Sequence, residues 1–327
     1  MTKKLWIGIA IFLAAVVILL LAVQLWPKPE KADIVGICYR EGGSKENAGY
    51  REKLEKALSG KGYQLIVKDA DRDQSKQLTQ IQELAQQECD VLLIEPVMTD
   101  SAPEMLEKVE QLGIPAVLFN KPMDATLFQP YADVYYIGYP YSNTVLNHME
   151  MMTALSDGGD WNGDGTVACL LLADPQEHRD SVQYKDSLLA CMPDNLQILS
   201  EVYTEGTLES GRKMCKQELA TYGKDIEVIL CGSDQIALGA DQAITDGGRT
   251  VGKDVYLFGI GGDSEGMALI SLGKMTGTVY ADPTLQIETI CKTVEQLFQG
   301  SAVDKIQVLP FVSVTKENVT DYWNAEA

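Results

Sequence analysis

Residues 226–240 read IEVILCGSDQIALGA. The first six are apolar at nearly every position and end at Cys231; a Gly-Ser-Asp turn comes next, and from Asp234 the apolar residues recur at helical spacing. A strand that is apolar on consecutive positions keeps both faces from water, unlike the alternating strand of a half-exposed sheet. Ser233 and Asp234 stand where a side-chain oxygen accepts the orphan N–H groups of a helix's first turn. A doubly buried strand, a Ser-Asp turn and a helix form half of a parallel β-α-β unit.

The unit repeats in both directions. Strands are expected at 167–172 (VACLLL), 197–203 (QILSEVY), 255–260 (VYLFGI) and 275–281 (MTGTVYA), with helices at 180–191, 209–222, 234–245 and 264–272. An earlier series has strands at 34–39 (IVGICY), 63–68 (YQLIVK), 90–95 (DVLLIE) and 114–119 (IPAVLF), with helices at 45–58, 75–87 and 103–112, stopped at Gly60 and Gly113. A polar, aromatic stretch at 131–143 interrupts the two series, and a helical segment then runs to Leu155. A last helix at 284–298 and a single strand at 306–314 are too little for a third domain. The expected fold class is therefore α/β, two doubly wound parallel-sheet lobes between which the chain crosses more than once.

The 327 residues suffice for two cores. With 27 Lys and Arg against 47 Asp and Glu, the net charge of -20 argues against nucleic acid as a partner, which needs clustered cations to displace counterions. The only histidines, His148 and His178, exclude a His-rich zinc site. Seven cysteines leave at least one unpaired within the chain, and Cys38, Cys169 and Cys231 read as small buried hydrophobes.

Residues 5–26 form an uncharged run of 22 residues, enough to cross a hydrocarbon layer of about 30 Å as a helix. Lys3 and Lys4 before it keep the amino terminus cytoplasmic and export the body of the chain. The expectation is an uncleaved membrane anchor over 1–31; the alternative is a signal segment whose cleavage secretes the body. Removing those residues leaves 23 basic against 46 acidic.

Ligands of open parallel sheets sit beyond the carboxyl ends of the strands. The residues just after the expected strands are Glu95, Asn120, Lys121, Asp174, His178, Asp180, Ser233, Asp234, Asp263 and Asp282, nearly all polar. Two such sheets facing each other would line a closable cleft with these groups; Asp180, Ser233, Asp234 and Ser264 serve equally well as helix caps. Residues 160–165, DWNGDG, set Asp160, Asn162 and Asp164 at alternate positions before a turning glycine, the way oxygens are delivered to a hard cation. The twelfth position of this loop is Leu171, so a closing carboxylate has to come from elsewhere. GGRTVGKD (247–254) has Asp254 where a P-loop holds Ser or Thr and precedes a strand; GIGGDS (259–264) lacks the third glycine of a dinucleotide fingerprint and reads as a strand-to-helix turn.

From Ala32 to Trp323 the chain resembles the type I periplasmic solute-binding proteins, nearest to those for galactose and glucose. The likeness is carried by LFNKP (118–122), YYIG (135–138), DWNGDGTVACLLL (160–172), HRD (178–180), residues 226–240, GTVYADP (277–283) and LPFVSVTKENV (309–319). The resemblance implies a three-crossover hinge near Tyr139, Asp282 and Pro310. The lobes it implies are 32–138 plus 283–309 and 139–282 plus 310–327. It also implies a structural calcium held by Asp160, Asn162, Asp164, the Thr166 carbonyl and a remote Glu227, with Ala168 standing where the family has a side-chain oxygen.

For the ligand, the resemblance implies Glu95, His178, Asp180, Tyr184, Ser233, Asp234 and Asp263. Several positions depart from the family: Glu95 and Ser233 stand at asparagines, Tyr184 at an arginine, Gly261 at an aspartate, Ala281 at an asparagine and Thr207 at a stacking tryptophan. The function implied is a monomeric extracytoplasmic protein that closes on a small polar solute, a saccharide, and presents it to an ABC permease or a sensor kinase. A hydrolase, with His178 as base and Asp180 or Asp234 as its orienter, is the lesser alternative. A repressor on the same two-lobe core would need DNA-reading helices where the apolar run stands.

Overall fold

The computed structural model describes residues 32–41, 45–98, 102–121, 123–140, 142–176 and 179–323. The expected membrane span lies outside them, and no described helix is long and apolar enough to cross a membrane.

The chain begins with β1 (Ile34–Tyr39), α1 (Lys45–Gly60), β2 (Gln64–Asp69), α2 (Gln74–Gln86), β3 (Val91–Ile94), α3 (Ala102–Leu112), β4 (Ala116–Phe119) and β5 (Val134–Gly138). It continues with α4 (Ser142–Thr153), β6 (Val167–Ala173), α5 (Arg179–Cys191), β7 (Leu196–Tyr203), α6 (Leu208–Tyr222), β8 (Val228–Cys231), α7 (Asp234–Asp246), β9 (Tyr256–Gly261), α8 (Ser264–Ser271) and β10 (Gly277–Tyr280). It ends with α9 (Pro283–Phe298), β11 (Ile306–Val308), β12 (Val312–Thr315) and α10 (Val319–Trp323). One sheet has the order β11-β5-β4-β3-β1-β2, the other β12-β10-β9-β8-β6-β7. Every pairing is parallel except β10 with β12.

Each sheet is buried on both faces, as the consecutive apolar residues demand. On β1, Val35, Ile37 and Tyr39 pack into one core and Cys38 into the other; on β6, Leu170 and Leu172 face one core, and Cys169, Leu171 and Ala173 the opposite one. The two-lobe parallel fold is thus as expected. All seven cysteines are free, and Cys38, Cys169 and Cys231 are buried.

Two local expectations are corrected. Residues 134–138, inside the stretch read as an interruption, form β5: Tyr136 is buried, its ring stacked on Phe128 at 5.2 Å, while its hydroxyl donates to the Lys121 carbonyl. Residues 306–314 are not one strand but two, β11 in the first sheet and β12 in the second, parted at 309–311.

The chain therefore passes between the sheets three times, after β5, after β10 and between β11 and β12, and the three passages touch. Tyr139 Oη donates to the Asp282 carbonyl at 2.6 Å, the Tyr139 and Phe311 rings lie 5.0 Å apart, and Leu309 N–H donates to the Gly138 carbonyl at 3.0 Å. A buried neutral hydrogen bond contributes about 1 kcal/mol. Tyr139→Phe is expected to lower the unfolding free energy by about that amount in urea titration, without change in far-ultraviolet dichroism.

Candidate functional site

The carboxyl ends of the strands meet two adjoining cavities of about 250 and 630 Å³. Both are lined by Tyr50 and Pro283 from the first lobe's helices and by Ile260 and Gly261 from β9 of the second. The smaller lies against the crossings, beside Tyr139 and Phe311, and also takes Asn120, Lys121 and Gln286. The larger opens toward Lys53 on one wall and Ser233, Gln235 and Asp263 on the other. The larger cavity, alone or joined with the smaller, is in the size range of small-molecule sites.

On the second lobe, the wall is held by Asp234, which is 1% exposed. Its Oδ2 accepts the N–H groups of Gly262 (2.6 Å) and Asp263 (3.2 Å), and its Oδ1 accepts the Thr278 hydroxyl (2.7 Å). The loop it holds turns at Gly262, φ 75°, where a Cβ would lie 2.3 Å from the Tyr280 ring. The reading of 259–264 as a strand-to-helix turn at the cleft is therefore right, and Asp234, which also borders the larger cavity, positions this turn.

Glu95 also serves the backbone. It is 4% exposed and lines neither cavity; its carboxylate accepts Arg40 N–H at 3.2 Å and the Asn120 amide at 2.6 Å. Asn120 has φ 71°, a left-handed conformation that asparagine tolerates, so Glu95 fixes the bend that brings Asn120 and Lys121 to the cavity. Tyr184 is turned into the core: it is buried, and its hydroxyl lies 2.6 Å from His148 Nδ1. His148 Nε2 is 2.9 Å from the Gly259 carbonyl and so carries the proton, leaving Nδ1 to accept from Tyr184.

Ser233 and Asp263 do line the larger cavity, and both also cap helices. Ser233 Oγ accepts Ile236 N–H at 3.4 Å, and Asp263 accepts Gly266 N–H at 2.6 Å and the Gln235 amide at 3.1 Å. Thr207 caps α6 in a reciprocal pair with Ser210. His178 lies outside the described residues, as does the side chain of Asp180, whose backbone lies in the first turn of α5. The strand-end rule missed Tyr50, Tyr139, Phe311 and Gln286, which come from helices and crossings. For Gln286 a signal existed: it interrupts the apolar face that Ile290 and Val294 continue on α9.

In the 160–166 loop, Asp160 Oδ1 accepts Gly163 N–H at 2.7 Å, its Oδ2 accepts Gly165 N–H at 2.8 Å, and Asp164 accepts Thr166 N–H at 2.8 Å. Because β8 neighbours β6, Glu227 reaches this loop; it is fully buried and accepts N–H groups of Asn162 (3.2 Å) and Ala168 (3.0 Å). Burial raises its carboxyl above the usual range, the amide donors of Ala168 and Asn162 oppose this, and the charges of Asp160 and Asp164 add to it. The oxygen donors suit a hard cation, yet among the described residues no three acidic, histidine or cysteine side chains converge as a metal-holding group.

The profile of the periplasmic binding protein domain matches residues 42–302. The chain belongs to this family. Among curated proteins, it is 27% identical over 277 residues to the D-galactose/methyl-galactoside binding periplasmic protein MglB of Haemophilus influenzae, with 80% of this chain and 82% of that one covered. It is 23% identical to the ribose import binding protein RbsB of Bacillus subtilis, covering 89% and 92%. A solved solute binding protein of Bacillus halodurans with bound myo-inositol superposes with a TM-score of 0.73 at 20% identity, covering 92% of this chain and 100% of that one. Membership in a family of binding proteins agrees with the reading of the chain as a binder and not an enzyme.

Two buried groups flank Gly259 with opposed effects on stability. Burial pushes Asp234 up to about 6 from 3.8, so the folded protein holds a proton that the unfolded chain has released; stability falls as pH rises across that window. Burial pushes His148 down to about 4 from 6.5, so stability rises with pH over nearly the same window. Asp234→Asn keeps an acceptor for the loop amides and removes only the first effect. Its unfolding free energy, measured from pH 4 to 7, is expected to climb relative to wild type by up to about 3 kcal/mol.

Proposed function

We propose that this protein is an extracytoplasmic solute-binding protein that closes its two lobes on a small polar solute, a saccharide, and delivers it to an ABC import permease. The observation that supports this best is the pair of adjoining cavities, walled by both lobes and backed by three crossings that touch at Tyr139. Pro283 and Phe311 beside Tyr50 offer apolar surface for C–H faces, and Asn120, Ser233, Asp263 and Gln286 offer polar groups for hydroxyls. The names of the relatives point the same way, to galactosides, ribose and inositol. The protein acts as a monomer, and residues 5–26 tether it to the membrane beside its permease.

A ligand that binds only the folded state raises stability by about 2.7 kcal/mol at a hundred times its Kd. In thermal melts against D-galactose, D-ribose, myo-inositol, nucleosides and amino acids, at least one sugar or cyclitol is expected to raise Tm. A flat response to the whole panel contradicts the proposal.

The same reading places calcium in the 160–166 loop, held by Asp160, Asn162, Asp164, the Thr166 carbonyl and Glu227. A cation there would screen the mutual repulsion of three carboxylates, one of them buried. Calorimetric titration with calcium should show heat with wild type and none with Asp160→Ala or Glu227→Ala. Unchanged binding by Glu227→Ala would remove that residue from the set.

A further inference from the structure

On the buried side of α9, Gln286 shares a face with Ile290 and Val294 and is the polar member of the row. It is 2% exposed. Its Oε1 accepts the Tyr50 hydroxyl at 2.8 Å, while its Nε2 is buried with no hydrogen-bond partner. Buried polar groups are ordinarily satisfied, because the desolvation of an unpaired amide is lost without return. Both Gln286 and Tyr50 line the smaller cavity, where Pro283, Phe311, Val279 and Ile260 offer no side-chain hydrogen-bonding group.

We propose that Gln286, oriented by Tyr50, is a specificity-determining residue of the cleft, its carboxamide N–H donating to an acceptor oxygen of the bound solute at the hinge end. The inference rests on the solute-binding reading and adds to it the polarity of one subsite. The bond from Tyr50 fixes Oε1, so the free end of the carboxamide is the donor and selects a hydroxyl, ring or carbonyl oxygen. A solute presenting an ammonium group at this position is rejected, because N–H would face N–H. Because Gln286 begins α9 just after the crossing at Asp282, a solute drawn in by closure meets it at the floor of the cleft.

The test compares wild type with the double variant Tyr50→Phe/Gln286→Leu and the single variant Gln286→Glu, each by thermal melting and by calorimetry with D-galactose, D-ribose and myo-inositol. Removing both partners together leaves no orphaned group, so the double variant should melt at or above wild type while its Kd for the solute that binds wild type rises tenfold or more. Gln286→Glu keeps an acceptor for Tyr50 but replaces the donor with a carboxylate, and should lose at least as much affinity. Unchanged affinity in the double variant overturns the proposal. If none of the three solutes binds wild type, the solute-binding reading has failed and takes this inference with it, an outcome distinct from unchanged affinity in the double variant, which overturns the inference alone.

Discussion

Parallel strands cannot be joined by tight turns, so most strands of these two sheets are succeeded by a helix that returns the chain to the sheet's starting edge, the exceptions being β4, which reaches β5 without an α-helix, and β11, which leads straight into β12 of the other sheet. The carboxyl ends of the parallel strands of a lobe thereby collect on one side, together with the amino ends of the returning helices; only β12 runs the other way. The two lobes turn these sides toward each other, and the cleft is a consequence of the connectivity before any particular side chain is considered. What keeps the sides facing is the contact of three chain passages at Tyr139, Asp282 and Phe311. Three covalent passages held together by one hydroxyl, one backbone hydrogen bond and one pair of rings restrict relative motion to bending and twisting about that region, the repertoire of hinge closure.

Most of the carboxylates at the strand ends work on the scaffold. Asp234 holds the turn after β9, and Glu95 holds the bend after β4. Asp282 caps α9 through Thr284 N–H while its carbonyl receives Tyr139. Strongly acidic composition thus coexists with a cleft lined by aromatic, amide and hydroxyl groups together with Lys53, Lys121, Asp234 and Asp263.

The sequence rules succeeded and failed for identifiable reasons. Doubly apolar strands such as VLLI at 91–94 and VILC at 228–231 were legible because burial on both faces leaves no room for a polar residue. β5 escaped because its tyrosines look polar by composition, whereas Tyr136 buries its ring and satisfies its hydroxyl on a backbone carbonyl. The break between β11 and β12 escaped because both halves are strand-like and only their partners in different sheets separate them. At the site, position after a strand returned Asn120, Lys121, Ser233, Asp234 and Asp263, all of which line a cavity, yet the rule is blind to rotamer and so also returned Glu95, whose carboxylate is taken up by Arg40 N–H and Asn120.

By itself, the sequence determined two parallel sheets covered on both faces, the order of their strands and helices with few exceptions, and the turns on which polar groups gather, because periodicity and helix-start chemistry are local properties of the chain. Only the tertiary structure decided which polar groups face the cavity and which serve the scaffold. It also brought Tyr50 of α1 against Gln286, 236 positions away, and Glu227 against the 160–166 loop. Those outcomes depend on which distant backbone amides and hydroxyls compete for each side chain, and that competition is settled by packing across the sheets, where no short window of sequence can register it.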